Sequence, residues 1–167
     1  MSKFSELCNS YAMSRTTYFE YRDKSIDFAG ALMQRYIAFL EIPEENYRYL
    51  PLGNEAKVDT KYSMRAALHL DDDACWHLGL QLTLVAAPNE TLRQPVLITF
   101  MFQSKGDAYL VRIAESDNGH LIHSGNELDF SKFFDFLQSQ IKRHFEGDFQ
   151  RFLEQSAPMT KIGFILQ

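Results

Sequence analysis

The residues best suited to acid–base or ligand chemistry lie in two neighbouring stretches of alternating sequence. His69 and His77 stand on either side of the acidic turn Asp71–Asp73, each in a run where apolar and polar residues alternate. If the two runs are adjacent strands, both imidazoles project from the less apolar face of a sheet. Gln81 and Arg112 alternate onto that face too, which defines a candidate polar pocket where histidine acts as acid, base or ligand. A hydrated sheet surface explains the same pattern, and we favour it.

A second pair of candidates, Arg15 and Arg22, is seven residues apart on the apolar stripe of a predicted helix. Two guanidiniums on one helix face suit an anion or carboxylate ligand. The alternative, which we favour, is that both side chains extend along the stripe to solvent and pair with Glu20 or Asp23. These arginines are therefore binding candidates without a catalytic role.

No cofactor or metal motif accompanies these residues. The acidic turn Asp71–Asp73 lacks the spaced oxygen ligands, glycine and distal glutamate of a calcium loop. Gly-rich phosphate loops, nucleophile elbows and zinc-type histidine or cysteine spacings are absent from the sequence. The two cysteines, Cys8 and Cys75, are far apart and predict reduced, partly buried thiols. The sequence thus predicts no cofactor and no metal, and it favours a non-enzymatic protein.

The stretch from Met64 to Ile122 predicts an antiparallel meander of four to five strands. Residues 76–85 alternate between apolar and polar side chains, which is typical of a strand with one buried face. Residues 95–103 are apolar at nearly every position, which predicts a central strand. Asp117-Asn118-Gly119 predicts a hairpin into a return strand that ends at His123. Residues 64–70 also alternate, and connections this short make sequential strands antiparallel.

The segment before the sheet predicts helix. Residues 1–40 carry apolar side chains at three- and four-residue steps. As one rod they would be about 60 Å long, which is long for a small domain. Either the helix breaks near residues 14–17, or it projects and packs on a partner. Residues 47–52, which follow, favour a short edge strand.

The segment after the sheet predicts a second helix. Its apolar stripe is rich in phenylalanine and runs from Phe130 to Leu153, with Asp129 or Ser131 as the residue that caps its start. We expect this stripe to cover the apolar face of the sheet. Residues 161–166 favour β structure and would either add an edge strand or contact a second subunit.

Composition bounds the class of protein. The 167 residues, 46% hydrophobic and 23% charged, suit one soluble α+β domain spanning residues 1–167. The net charge of −5 disfavours nucleic-acid binding, which normally requires a basic face. The sequence shows neither a secretory signal nor the run of about 20 apolar residues that a membrane span needs. We expect a cytoplasmic protein without a membrane partner.

These observations predict a non-catalytic protein–protein interaction module, either a homodimer or the partner of another protein. Small acidic proteins of this kind include dedicated chaperones, antitoxins and immunity proteins. In element order and acidity the chain is loosely similar to the SecB-like export chaperones, which pair an antiparallel sheet with a long following helix. Its long N-terminal helical segment departs from their pattern. The alternative prediction is a small-ligand-binding protein or enzyme with a pocket between the sheet and the helices.

Overall fold

A computed structural model describes residues 2–53, 57, 59–89, 91, 93–114, 117–148 and 164–166. The chain belongs to the α+β class, with an antiparallel sheet, one long helix before its first strand and a second long helix after its sixth. The elements are α1 (Lys3–Leu40), β1 (Tyr47–Leu50), α2 (Met64–Ala67), β2 (His69–Leu70), β3 (Trp76–Val85), β4 (Arg93–Lys105), β5 (Ala108–Arg112), β6 (His120–His123), α3 (Glu127–Arg143) and β7 (Phe164–Leu166).

The N-terminal segment forms one continuous helix. Ser2 caps α1 by accepting a hydrogen bond from the Ser5 N–H at 3.1 Å. Thr16 and Thr17, where a break was one of the two alternatives, stay helical and donate their hydroxyls to backbone carbonyls one turn earlier. The helix ends at Glu41, which adopts a left-handed conformation with φ 49°. Its 38 residues span about 57 Å.

The sheet follows the predicted meander. β3, β4, β5 and β6 pair in sequence order and antiparallel, and β1 completes the path beside β3. The two-residue strand β2 also pairs with β3, and β7 pairs with β4. The strand β4, apolar at most positions of its middle part, therefore lies in the interior of the sheet, as its sequence predicts. Gly106, with φ +67°, makes the tight turn between β4 and β5, where a side chain would be strained.

Two element starts differ from the sequence predictions. Met64–Ala67 is a helical turn and not the beginning of a strand, because the Ser63 hydroxyl accepts the Ala66 N–H at 3.2 Å and fixes an N-cap. The strand of this region is reduced to His69–Leu70. Helix α3 is capped by Asn126, whose side-chain oxygen accepts the Leu128 N–H at 3.1 Å, and not by Asp129 or Ser131.

Both long helices pack on the same face of the sheet. Phe100 contacts Tyr36 of α1 and Phe133 of α3, with ring centroids 6.3 and 6.4 Å apart. The Phe-rich stripe of α3 thus covers the face built from the apolar positions of β3, as predicted, as far as the described residues extend; Phe149, Phe152 and Leu153 lie outside them. The buried core comprises Phe28, Leu32, Tyr36, Trp76, Leu78, Leu80, Ile98, Phe100, Phe102, Phe130, Phe133 and Leu137 among others.

The helices combine apolar packing faces with charged exposed residues. Within the described residues, no helix combines the length and the apolar content needed to cross a bilayer. The exposed sides of α1 and α3 carry charged residues such as Asp23 and Lys132, which favours contact with water.

Candidate functional site

The predicted histidine pair forms on the sheet face opposite the helices, here called the second face. His69 of β2 lies directly across from His77 of β3, and their rings stack with centroids 5.6 Å apart and planes 20° apart. His77 is in register with Met101 of β4, and Met101 with Arg112 of β5. Side chains directly opposite one another share a face. The structure therefore brings His69, His77 and Arg112 into one row across four strands.

Asp73 joins this row from the turn that precedes β3. Its carboxylate contacts His77 Nε2 at 3.0 Å and accepts the Cys75 N–H at 2.9 Å. Burial alone would raise the pKa of Asp73. The hydrogen bonds from Cys75 and His77, together with the charges of His77 and Arg112, outweigh that effect and lower the pKa. The carboxylate is therefore held in its ionised form beside the imidazole.

Cys75 completes the cluster on its buried side. The thiol is 2% exposed, and Arg112 donates a hydrogen bond from Nη2 to its sulfur at 3.4 Å. Sequence reasoning assigned this cysteine no role. No periodic signal would have found it, because Cys75 follows a turn in which Ala74 has a left-handed backbone with φ 60°. We call His69, Asp73, His77, Cys75 and Arg112 the polar cluster.

Gln81 lies on the second face but outside the polar cluster. Its side-chain oxygen accepts two hydrogen bonds from Arg48 of β1, at 2.9 and 2.8 Å, across the register that pairs the two residues. The side chain is buried. Its polarity is therefore satisfied by a cross-strand partner, which is the usual arrangement for a buried amide.

Arg15 and Arg22 are not brought to the polar cluster. Both guanidiniums lie over the ring of Phe19 on α1, 5.2 and 4.7 Å from its centroid. Arg22 also forms an ion pair with Asp23 at 2.9 Å. Arg22 therefore pairs with Asp23, one of the two acidic residues expected if the arginines bind no ligand. Both arginines also contact an aromatic ring.

The polar cluster contains an acidic group, Asp73, and a basic group, Arg112, but its cysteine is not accessible to solvent. Cys75 is enclosed and already hydrogen-bonded to Arg112. Among the residues that the structure describes, no group of three or more histidine, cysteine, aspartate or glutamate side chains is arranged to hold a metal ion. The arrangement suits recognition of a small polar group more than chemistry on it.

A different surface stands out on α1. From Lys3 to Glu20 no side chain of the helix is buried, and the first buried residue is Ser25. We call residues 3–20 the arm, because it extends about 27 Å beyond the part of α1 that packs on the sheet. It carries large apolar side chains, with Phe4, Leu7 and Tyr11 74, 68 and 67% exposed.

The apolar residues of the arm repeat every seven positions. Phe4, Tyr11 and Tyr18 continue at this spacing to Ser25 and Leu32, which are buried against the sheet. A seven-residue repeat stays on one side of a helix. The apolar stripe of α1 is therefore buried in the core near the sheet and continues, exposed to solvent, along the arm. We call Phe4, Leu7, Tyr11 and Tyr18 the arm stripe.

The arm stripe is a large apolar surface for a protein of this size. Aromatic side chains carry roughly 150–250 Å² each, so the exposed fractions of the four residues amount to roughly 500 Å². The largest apolar patch on a typical soluble monomer is roughly 300–600 Å² and is often functional, so the arm stripe is a candidate interaction surface.

Comparison with known proteins adds no assignment. No protein-family model, curated protein or solved structure shows significant similarity to the chain. The arm stripe and the polar cluster must therefore be interpreted from their own geometry.

Proposed function

We propose that this protein is a non-catalytic protein–protein interaction module that works as a homodimer. It would belong with the small acidic proteins that serve as chaperones, antitoxins or immunity proteins. The observation that carries the proposal is the arm stripe, an uncovered apolar surface on a helix anchored firmly in the core. A second copy of the chain is the occupant that offers a matching stripe.

The pattern of the arm supports pairing between helices. Apolar side chains at Phe4, Leu7, Tyr11, Tyr18 and Tyr21 follow the alternating three- and four-residue steps of a heptad repeat. The one exception to the apolar pattern is Ser14, at the heptad position between Tyr11 and Tyr18. Basic and acidic residues elsewhere on the arm keep its other sides soluble. Such a seam buries its apolar surface best against another helix of the same kind.

The test is the mass of the protein in solution. Sedimentation equilibrium from 1 to 100 µM should give twice the 19.4 kDa of one chain. A reducing agent is required because Cys8 is exposed on the arm and would otherwise form adventitious disulfides. Leu7→Asp places a charge in the seam and should raise the dimer dissociation constant at least about 100-fold.

Met13 provides the matched control. It is as exposed as Leu7, at 72% against 68%, and both lie in the arm. Two residues beyond Tyr11, Met13 points about 200° around the helix from the stripe. Met13→Asp should leave the mass and the dissociation constant unchanged. A wild-type monomer at 100 µM, or equal weakening by both substitutions, would show that the proposal is wrong.

A second candidate function is binding of a small ligand, for which the polar cluster is the supporting observation. Aromatic side chains fill the interface between the sheet and the helices, so a ligand would find its polar partners on the second face. Native mass spectrometry of the purified protein tests this. A bound mass that is lost in His77→Ala would favour the ligand-binding function; a ligand-free chain at every stage of purification would count against it.

We also place the protein in the cytoplasm. Both cysteines are unpaired, Cys8 at the surface and Cys75 in the interior, which supports a reducing compartment. The lack of a membrane-spanning helix in the described part of the chain is compatible with this assignment. Fractionation of cells that express a tagged chain would test it, and recovery with the membrane or secreted fraction would contradict it.

A further inference from the structure

The arm leaves the body of the protein at a pocket that has not been assigned so far. The pocket has a volume of about 350 Å³. Tyr18 and Ile26 of α1 form one wall, and Leu68, Leu70 and Trp76 of the body form the other. Leu70 is 38% exposed, so the pocket opens onto an apolar edge. We call it the corner pocket.

The position of the body decides how two arms can pair. Phe28 and Leu32 are buried against the sheet on the same side of α1 as the arm stripe. In a parallel pair, the helix of the second copy would run along this side and enter the space that the sheet occupies. In an antiparallel pair, the tip of each arm reaches only the base of the other copy's arm, at the edge of the body, and does not enter the space that the sheet occupies. The seam can therefore close only in the antiparallel orientation.

Antiparallel registers differ by steps of seven residues, and only one of them covers the whole arm stripe without reaching Phe28, which is buried in the body. In an antiparallel pair of heptad helices, each a position of one helix lies opposite a d position of the other. In this register, Phe4 of one copy lies against Tyr21 of the second copy, Leu7 against Tyr18, and Tyr11 against Ser14. Small Ser14 then lies opposite a bulky ring. Because Tyr18 lines the corner pocket, Phe4 arrives at its mouth.

We propose that Phe4 of each copy seats in the corner pocket of a second copy. This inference rests on the homodimer proposed above and names its contact. The arm stripe alone covers roughly 500 Å², less than the roughly 800 Å² per partner of a standard stable interface. Seating the tip against Leu70 and Trp76 supplies additional apolar contact. Arg22 and Arg65 also line the pocket, and a guanidinium attracts an aromatic ring through a cation–π contact.

Site-directed cross-linking tests the contact. In a Cys8→Ser background, the double substitution Phe4→Cys and Leu70→Cys should give a disulfide-linked dimer under mild oxidation. The two positions cannot react within one chain, because Phe4 lies about 25 Å along the helix from Tyr21. The single substitution Phe4→Cys should give no linked dimer, because only a parallel pair brings the two arm tips together.

A measurement of affinity complements the cross-link. Phe4→Ala should weaken dimerisation at least about 10-fold, whereas Met13→Ala should change it less than twofold. Neither residue packs in the body, so both variants should fold. A cross-link in the single variant, or a dimer that neither cross-links nor responds to Phe4→Ala, would overturn the seating of Phe4 while the proposed homodimer stands. A wild-type monomer would overturn both.

Discussion

The ring of Phe28 on α1 stacks face to face on Tyr109 of β5, with centroids 4.0 Å apart and planes 10° apart. The contact lies where α1 first becomes buried, so it anchors the base of the arm to the sheet. Phe28 is 3% exposed and also contacts Phe102 at 5.5 Å between centroids. Its removal would open a cavity between the helix and two strands.

Phe28→Ala should therefore lower the free energy of unfolding by about 3–5 kcal/mol, the usual cost of truncating a buried phenylalanine. Urea denaturation followed by circular dichroism at a fixed protein concentration measures the change. Leu128→Ala serves as control, because that side chain is 59% exposed at the start of α3 and should cost less than about 1 kcal/mol. Equal effects of the two substitutions would mean that Phe28 does not anchor the helix.

The hydroxyl of Tyr36 is buried without a hydrogen-bond partner among the described residues. Burial raises the pKa of this phenol, as expected for a group removed from water. Tyr36→Phe keeps the ring contacts and removes the unpaired hydroxyl. It should stabilise the fold by about 1–2 kcal/mol, measured as a higher urea midpoint with an unchanged denaturant slope.

Tyr21 supplies the opposite control. Its hydroxyl accepts a hydrogen bond from the indole N–H of buried Trp76 at 3.2 Å. Tyr21→Phe leaves that donor without this acceptor and should destabilise the fold by about 1–2 kcal/mol. A loss of stability in Tyr36→Phe comparable to that in Tyr21→Phe would show that the Tyr36 hydroxyl has a partner.

The elements that the sequence predicted well are those whose pattern reflects a single packing face. Alternation in β3 and nearly continuous apolarity in the middle of β4 are each typical of a strand, so both could be recognised without a structure. The helical period of residues 3–40 was equally clear. The sequence leaves open whether the helix breaks near Thr16, because threonine is a weak helix former. The hydrogen bond from its hydroxyl to a backbone carbonyl of the preceding turn cannot be recognised from composition.

The contacts of the candidate site depend on register, which a pattern does not determine. The stacking of His69 on His77 could be expected only if the intervening turn was tight, and it is. The bond from Arg112 to Cys75 joins residues 37 positions apart and requires three strands to align. The helical turn Met64–Ala67 has only four residues. Over so short a stretch, the period of a helix cannot be distinguished from the alternation of a strand.

The carboxylate of Asp129 ties α3 to β6. It accepts the backbone N–H of His123 at 3.1 Å and contacts the ring nitrogen Nδ1 of the same residue at 2.8 Å. The backbone hydrogen bond, the ring contact and the positive charges of His123 and Lys132 lower the pKa of Asp129, partly opposed by burial. The ionised carboxylate is therefore favoured in the folded state over the unfolded state.

A lowered folded-state pKa makes this contribution to stability depend on pH. It is complete above about pH 5 and is lost as the pH falls through the folded-state pKa, because the carboxyl is then protonated in both states. Asp129→Asn should lower the urea midpoint at pH 7, and its gap from the wild-type midpoint should close progressively as the pH falls below about 5. Asp135→Asn, at an exposed position on the same helix, should show no such gap. A gap for Asp129→Asn that stays constant with pH would mean that its cost arises from packing and not from the charge.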